Sequence, residues 1–215
     1  MARKKSAAKK PAAPVSADPA EAITEAGLRL AGAGGWTSVT MTAVAAEAGL
    51  PLGDVLLFAP TRAHLLVKLM DRLDAANLAG VEGSADEGSA RDRLFDVLMR
   101  RFDLLNQKRD AVRAVVMGVP RDPPSAALLA CRVGRSAAAL LGAAGISADG
   151  LRGFLRIQGL KAVMGFALRA WMSDDSDDMS KTMAALDRAL GHAERVANFR
   201  NWRPSAATPD QASPV

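Results

Sequence analysis

The chain has 215 residues, 49% hydrophobic and 24% charged, with 4% aromatic and no tyrosine. That apolar fraction excludes disorder throughout, and the length suits one sizeable domain or a small head joined to a larger body. No run of about 18 uncharged apolar residues and no signal-peptide core appear, and the single cysteine, Cys131, fits a reducing compartment, so a cytoplasmic protein without a spanning segment is expected.

The net charge of +5 sits at one end. Arg3, Lys4, Lys5, Lys9 and Lys10 lie in the first 15 residues, where there is no acid, and the other 200 residues balance 23 basic against 23 acidic. Residues 1–17, rich in Ala, Pro and Lys, are expected to form a disordered arm. Such an arm suits phosphate contact or entry into a minor groove, and equally a solubilising extension.

Helical periodicity dominates and no alternating strand appears, so the fold class is all-α with about nine helices. Asp18 or Ser16 can cap a first helix near 19–33, with Pro19 in its first turn. Thr40 caps a helix of about 41–48 that Gly49 ends. Residues 52–58 form a third helix after Pro51, Pro60 breaks it, and Thr61 caps a fourth over 62–79. The glycine-rich segment 80–90 is the expected boundary between a head, 18–79, and a helical body, 90–199. Within the body, helices are expected at 90–106, 109–118, 124–143, 148–173 and 177–199, and 204–215 reads as a disordered tail.

Two short helices joined around Gly49, Leu50 and Pro51 have the size of a helix-turn-helix. Residues 22–66 resemble the TetR family: Gly35 and Trp36, Thr40, Val44 and Ala45, Ala48 to Leu50, Gly53, Phe58, Pro60 to Arg62, and Leu65 and Leu66. The resemblance implies a DNA-binding head on a ligand-binding, dimerising body: a ligand-responsive transcriptional repressor, working as a homodimer on double-stranded DNA. It places the DNA contacts at Thr40, Thr42, Leu52, Gly53, Asp54, Leu57 and Arg62, with Arg3, Lys4 and Lys5 of the arm assisting.

Several positions depart from the family pattern. Pro51 stands where Ser or Thr is usual, Asp54 where Thr is usual, Leu56 and Phe58 where tyrosines reach phosphates, and Ala59 where an aromatic is buried. From Ser16 to Ala79, four bases (Arg29, Arg62, Lys68, Arg72) face seven acids, a net of −3, and Arg62 is the best remaining phosphate contact. The chain is also similar to the TetR-fold lipid-binding accessory proteins of ubiquinone biosynthesis, at Gly35 to Thr37, at Ala45 to Leu50, and near Trp171, Asp174, Ser176, Asp178, Thr182, Leu186, Asp187 and Ala193. That likeness implies an alternative, a lipid- or isoprenoid-binding protein that has lost DNA binding.

The segment from Leu151 to Met172 is apolar on nearly all sides, as a core helix or one covered by a second subunit would be. Met99, Phe102, Val116, Met117, Leu128, Cys131, Leu155, Leu160, Met164 and Leu168 are expected to line a cavity for a small apolar ligand, or else to be plain core. His64 and His192 form no ligand pair, and the acidic run 174–178 lacks the glycine and glutamate of a calcium loop. With no nucleophile beside a base and no phosphate loop, neither a catalytic residue, a metal nor a cofactor is expected.

Overall fold

The computed structural model describes residues 18–80 and 89–201, and these contain nine α-helices and no strand. The chain divides into two compact units, residues 1–161 and 162–215. The arm, most of the glycine-rich segment and the C-terminal tail lie outside the described residues.

In the first unit, α1 (Pro19–Gly34) starts where the Asp18 carboxylate accepts from the Ala20 amide at 2.9 Å. A single 3-10 turn, Trp36–Ser38, leads to α2 (Met41–Ala48), α3 (Leu52–Phe58) and α4 (Arg62–Ala79). The Thr40 and Thr61 hydroxyls cap α2 and α4, as their positions before the apolar periods imply. Trp36, Val39, Val44, Val55, Ala59 and Leu65 close over one another in a core that also takes Val115 and Val119. Those last two belong to α6 (Arg109–Gly118) and the turn after it. A Cβ on Gly118 would lie 2.5 Å from that of Trp36, so only glycine lets α6 come so near. The head therefore shares its core with α6 and the turn that ends it.

Helix α5 (Ala90–Asn106) opens with a capping box between Ser89 and Asp92, and α7 (Pro123–Ala143) packs along α4. Where α4, α5 and α7 meet, the core is ionic. Asp74 accepts from Arg101 Nη1 at 2.5 Å, Arg132 Nη2 at 2.6 Å and Ser136 Oγ at 2.7 Å, while Arg132 Nε reaches Asp71 at 2.6 Å. Asp74, Arg101, Arg132 and Ser136 are all buried. Burial pushes the Asp74 carboxyl up, but Ser136 and the two guanidinium groups outweigh it and hold the group below the usual carboxylate range. Helix α7 has the length and hydropathy to cross a membrane, yet its buried stripe of Ser125, Arg132 and Ser136 is the one that meets α4 and the turn before it with polar bonds.

Helix α8 (Gly150–Met172) continues from the first unit into the second. There α9 (Ser180–Asn201) begins three residues later than the sequence implies. The reason is Asp174, whose Oδ2 accepts from both the amide and hydroxyl of Thr182 at 2.7 Å and whose Oδ1 accepts from Ser176. These bonds hold residues 173–179 in a turn before the helix can start. Burial opposes the charge on Asp174, yet the serine and threonine donors hold its carboxyl far below the usual range. Asp174, Ser176 and Thr182, singled out by similarity to lipid-binding proteins, are thus the frame of a tight turn.

Candidate nucleic-acid interface

The turn between α2 and α3 is built on Gly49, at φ 69° and ψ 27°, a left-handed conformation that favours glycine. The two helices meet at 116°, within the range of helix-turn-helix units. Val44, Ala45 and Ala48 anchor α2 in the core, and buried Val55 with half-buried Phe58 anchors α3. The other five residues of α3 face out: Leu52 is 40% exposed, Leu56 39% and Leu57 87%, with Gly53 and Asp54 also exposed. Thr40 and Thr42 are exposed at the start of α2, although the Thr40 oxygen already accepts from the Ala43 amide at 3.2 Å.

The four basic side chains of the described head all have partners within the molecule. Arg29 pairs with Glu47 at 2.8 Å, and Arg72 lies 3.6 Å from Asp18 and 3.5 Å from Glu21. Lys68 sits over the Phe58 ring, 5.3 Å from its centroid, which braces α3 against α4. Arg62 donates from Nε to Asp122 at 2.7 Å and from Nη1 to the Thr37 carbonyl at 2.8 Å. Its guanidinium is therefore a strut between the head and the turn before α7. Arg3, Lys4 and Lys5 lie outside the described residues.

Around that strut is a network that the sequence does not reveal. Ser125 Oγ donates to the same Asp122 oxygen at 2.5 Å and accepts from the indole N–H of Trp36 at 3.2 Å. The Arg62 guanidinium and the Ser125 hydroxyl hold the Asp122 carboxyl below the ordinary carboxylate range against its burial. One carboxylate thus fixes two head residues to α7. Replacing Asp122 with alanine is expected to remove about 2–3 kcal/mol of stability, since it takes a charged hydrogen-bond partner from both Arg62 and the buried Ser125. Urea unfolding with tryptophan emission measures this, and a loss under about 0.5 kcal/mol would assign the head's placement to apolar packing alone.

The apolar residues expected to line a cavity differ in burial. Phe102 and Leu160 are buried, and Met99, Val116, Leu128, Leu155, Met164 and Leu168 are half-buried. Met117 is 58% exposed and Cys131 is exposed, so neither faces the interior. On α7 the inward stripe runs through Ser125, Arg132, Ser136 and Leu140, which turns Cys131 outward. The interior instead holds Asn77, fully buried on α4 three residues beyond Asp74, with neither side-chain polar atom bonded within the protein. A polar residue late in an amphipathic helix gives no sequence signal of this kind.

The arrangement has clear counterparts among solved structures. A TetR transcriptional regulator from Nitrosomonas europaea ATCC 19718 matches with TM-score 0.67 and 23% identity, over 82% of this chain and 98% of its own. The fold is the TetR fold. A TetR regulator from Rhodococcus sp. RHA1 shares it with TM-score 0.61 and 22% identity, over 81% and 94% of the two chains. The regulator FadR from Bacillus subtilis, in complex with stearoyl-CoA, matches at 0.51 and 15%, over 80% and 96%. No family model matches the chain, and no curated protein matches it in sequence.

Proposed function

We propose that this TetR-fold chain is a ligand-responsive, DNA-binding transcriptional repressor that acts as a homodimer in the cytoplasm, without enzymatic activity. The observation that carries this reading is a helix-turn-helix whose second helix faces outward while Arg62, Asp122, Ser125 and Trp36 tie its head to α7. A ligand that shifts α7 against α4 would then move the reading helices of the two subunits relative to their half-sites. The FadR complex with stearoyl-CoA supports an apolar effector with a polar end. The alternative, a lipid carrier without DNA binding, is not favoured by neighbours that are transcriptional regulators.

The test is binding of the full chain to genomic fragments, including the region upstream of its own gene, across a salt series. A sequence-specific complex that survives physiological salt supports the reading, and sequence-blind binding abolished by salt overturns it. Because the described head's bases are paired internally, phosphate contact is assigned to the arm. Deleting residues 1–15 removes five positive charges. It should flatten the slope of log K against log salt by up to roughly 4.5 per chain, or about 9 for the two arms of a dimer, and an unchanged slope would place the contacts elsewhere.

A further inference from the structure

Helix α3 has an outward face without a single side-chain hydrogen-bond donor. At about 100° per residue, Leu52, Gly53, Leu56 and Leu57 share one side, Asp54 lies at its edge, and Val55 points into the core. A Cβ on Gly53 would meet nothing within 4 Å, so packing does not require glycine there. Its effect is to leave the centre of the leucine face open to close approach.

This composition restricts which bases the helix can read. In the major groove, guanine presents two acceptors and adenine an acceptor beside a donor, and their usual partners are Arg, Lys, Asn and Gln. α3 has none of these. Two major-groove features remain within its chemistry: the thymine C5-methyl group, which apolar side chains contact, and the cytosine N4 amino group, which donates to a carboxylate. Resting on the DNA-binding reading above, we propose that α3 recognises pyrimidines, with Leu52, Leu56 and Leu57 packed on thymine methyl groups and Asp54 accepting from a cytosine amino group. A leucine face gains most where it covers methyl groups and loses where it must desolvate the polar edge of a purine. The operator should therefore hold thymines at the contacted positions, with shallow discrimination at each.

The experiment starts from duplexes enriched by the full chain from a random-sequence pool. Each is remade with deoxyuridine for one thymidine at a time, which removes the methyl group and keeps the pairing and the O4 acceptor. Uracil at a contacted position should weaken binding about fourfold, the effect of one buried methyl-sized group, and should change nothing elsewhere. Leu57→Ala, at an exposed position that leaves the core intact, should abolish the uracil effect at one position, which separates a side-chain contact from a change in DNA shape. Asp54→Ala should likewise erase a cytosine preference at one position. If the enriched duplexes are bound equally with uracil and thymine throughout, the inference fails and the regulator reading stands. If the pool yields no enriched sequence, both fail, and the leucine face belongs to a partner other than DNA.

Discussion

Alanine in place of Asp74 is expected to destabilise the protein by about 3–5 kcal/mol, because it leaves Arg101 and Arg132 buried with no shared counter-ion. Among the described residues Arg101 would retain only the Met70 sulfur at 3.9 Å, and Arg132 only Asp71, whose side chain is partly exposed. Ser136→Ala removes one donor from the same carboxylate and should cost about 1 kcal/mol. Replacing the cluster together (Asp74→Leu, Arg101→Met, Arg132→Met) should recover most of the loss, because no charge is then stranded. Urea unfolding of the three variants decides the matter. A cost below about 1 kcal/mol for Asp74→Ala would mean that water reaches the arginines.

The same carboxylates set the acid sensitivity. Asp74, Asp122 and Asp174 are all held below the ordinary aspartate range in the folded chain. In the unfolded chain they take up protons near pH 4, so the stability they contribute is present above that pH and is lost as the pH falls toward the folded values. The urea midpoint should be steady near neutrality and drop below about pH 4, and Asp74→Ala should drop less steeply. A midpoint as steep in the variant as in the parent would assign the acid response to other groups.

Much of this architecture is written locally. Thr40, Gly49, Pro60 and Thr61 punctuate the head so closely that α2, α3 and α4 begin and end where caps and breakers place them. What joins the elements is not local. Arg62 finds its partner 60 residues away, in a turn that reads as a Pro-Pro break, and Arg132 reaches back 58 residues to Asp74. A charged residue in an amphipathic helix carries the same sequence signal whether it faces water or a buried counter-charge. The polar stripe of α7 was illegible for that reason, and apolarity alone pointed inward for Cys131 and Met117, which face out. On the candidate interface, composition discloses the missing side-chain donors of α3, but only the folded structure shows Arg29, Arg62, Lys68 and Arg72 already engaged.

If the proposed homodimer forms through α8 and α9, Phe166→Asp should raise its dissociation constant by more than about 100-fold. Phe166 is 53% exposed on α8 and Met183 is 44% exposed on α9, within one compact unit and with Ala162, Gly165 and Ala184 exposed beside them. Large apolar side chains flanked by small ones suit close helix packing across a two-fold axis. Under that symmetry each residue enters the interface twice, so losing about 1.5–3 kcal/mol per phenylalanine removes about 3–6 kcal/mol from association, before the cost of burying a carboxylate. Sedimentation over a range of concentrations measures the change, and circular dichroism should show the monomer still helical because Phe166 lies outside the core. A variant that remains as dimeric as the parent would move the interface to another face. If dimers are lost, affinity for a two-half-site operator should fall with them while affinity for a single half-site stays, because the described contacts that hold the head together lie within one chain.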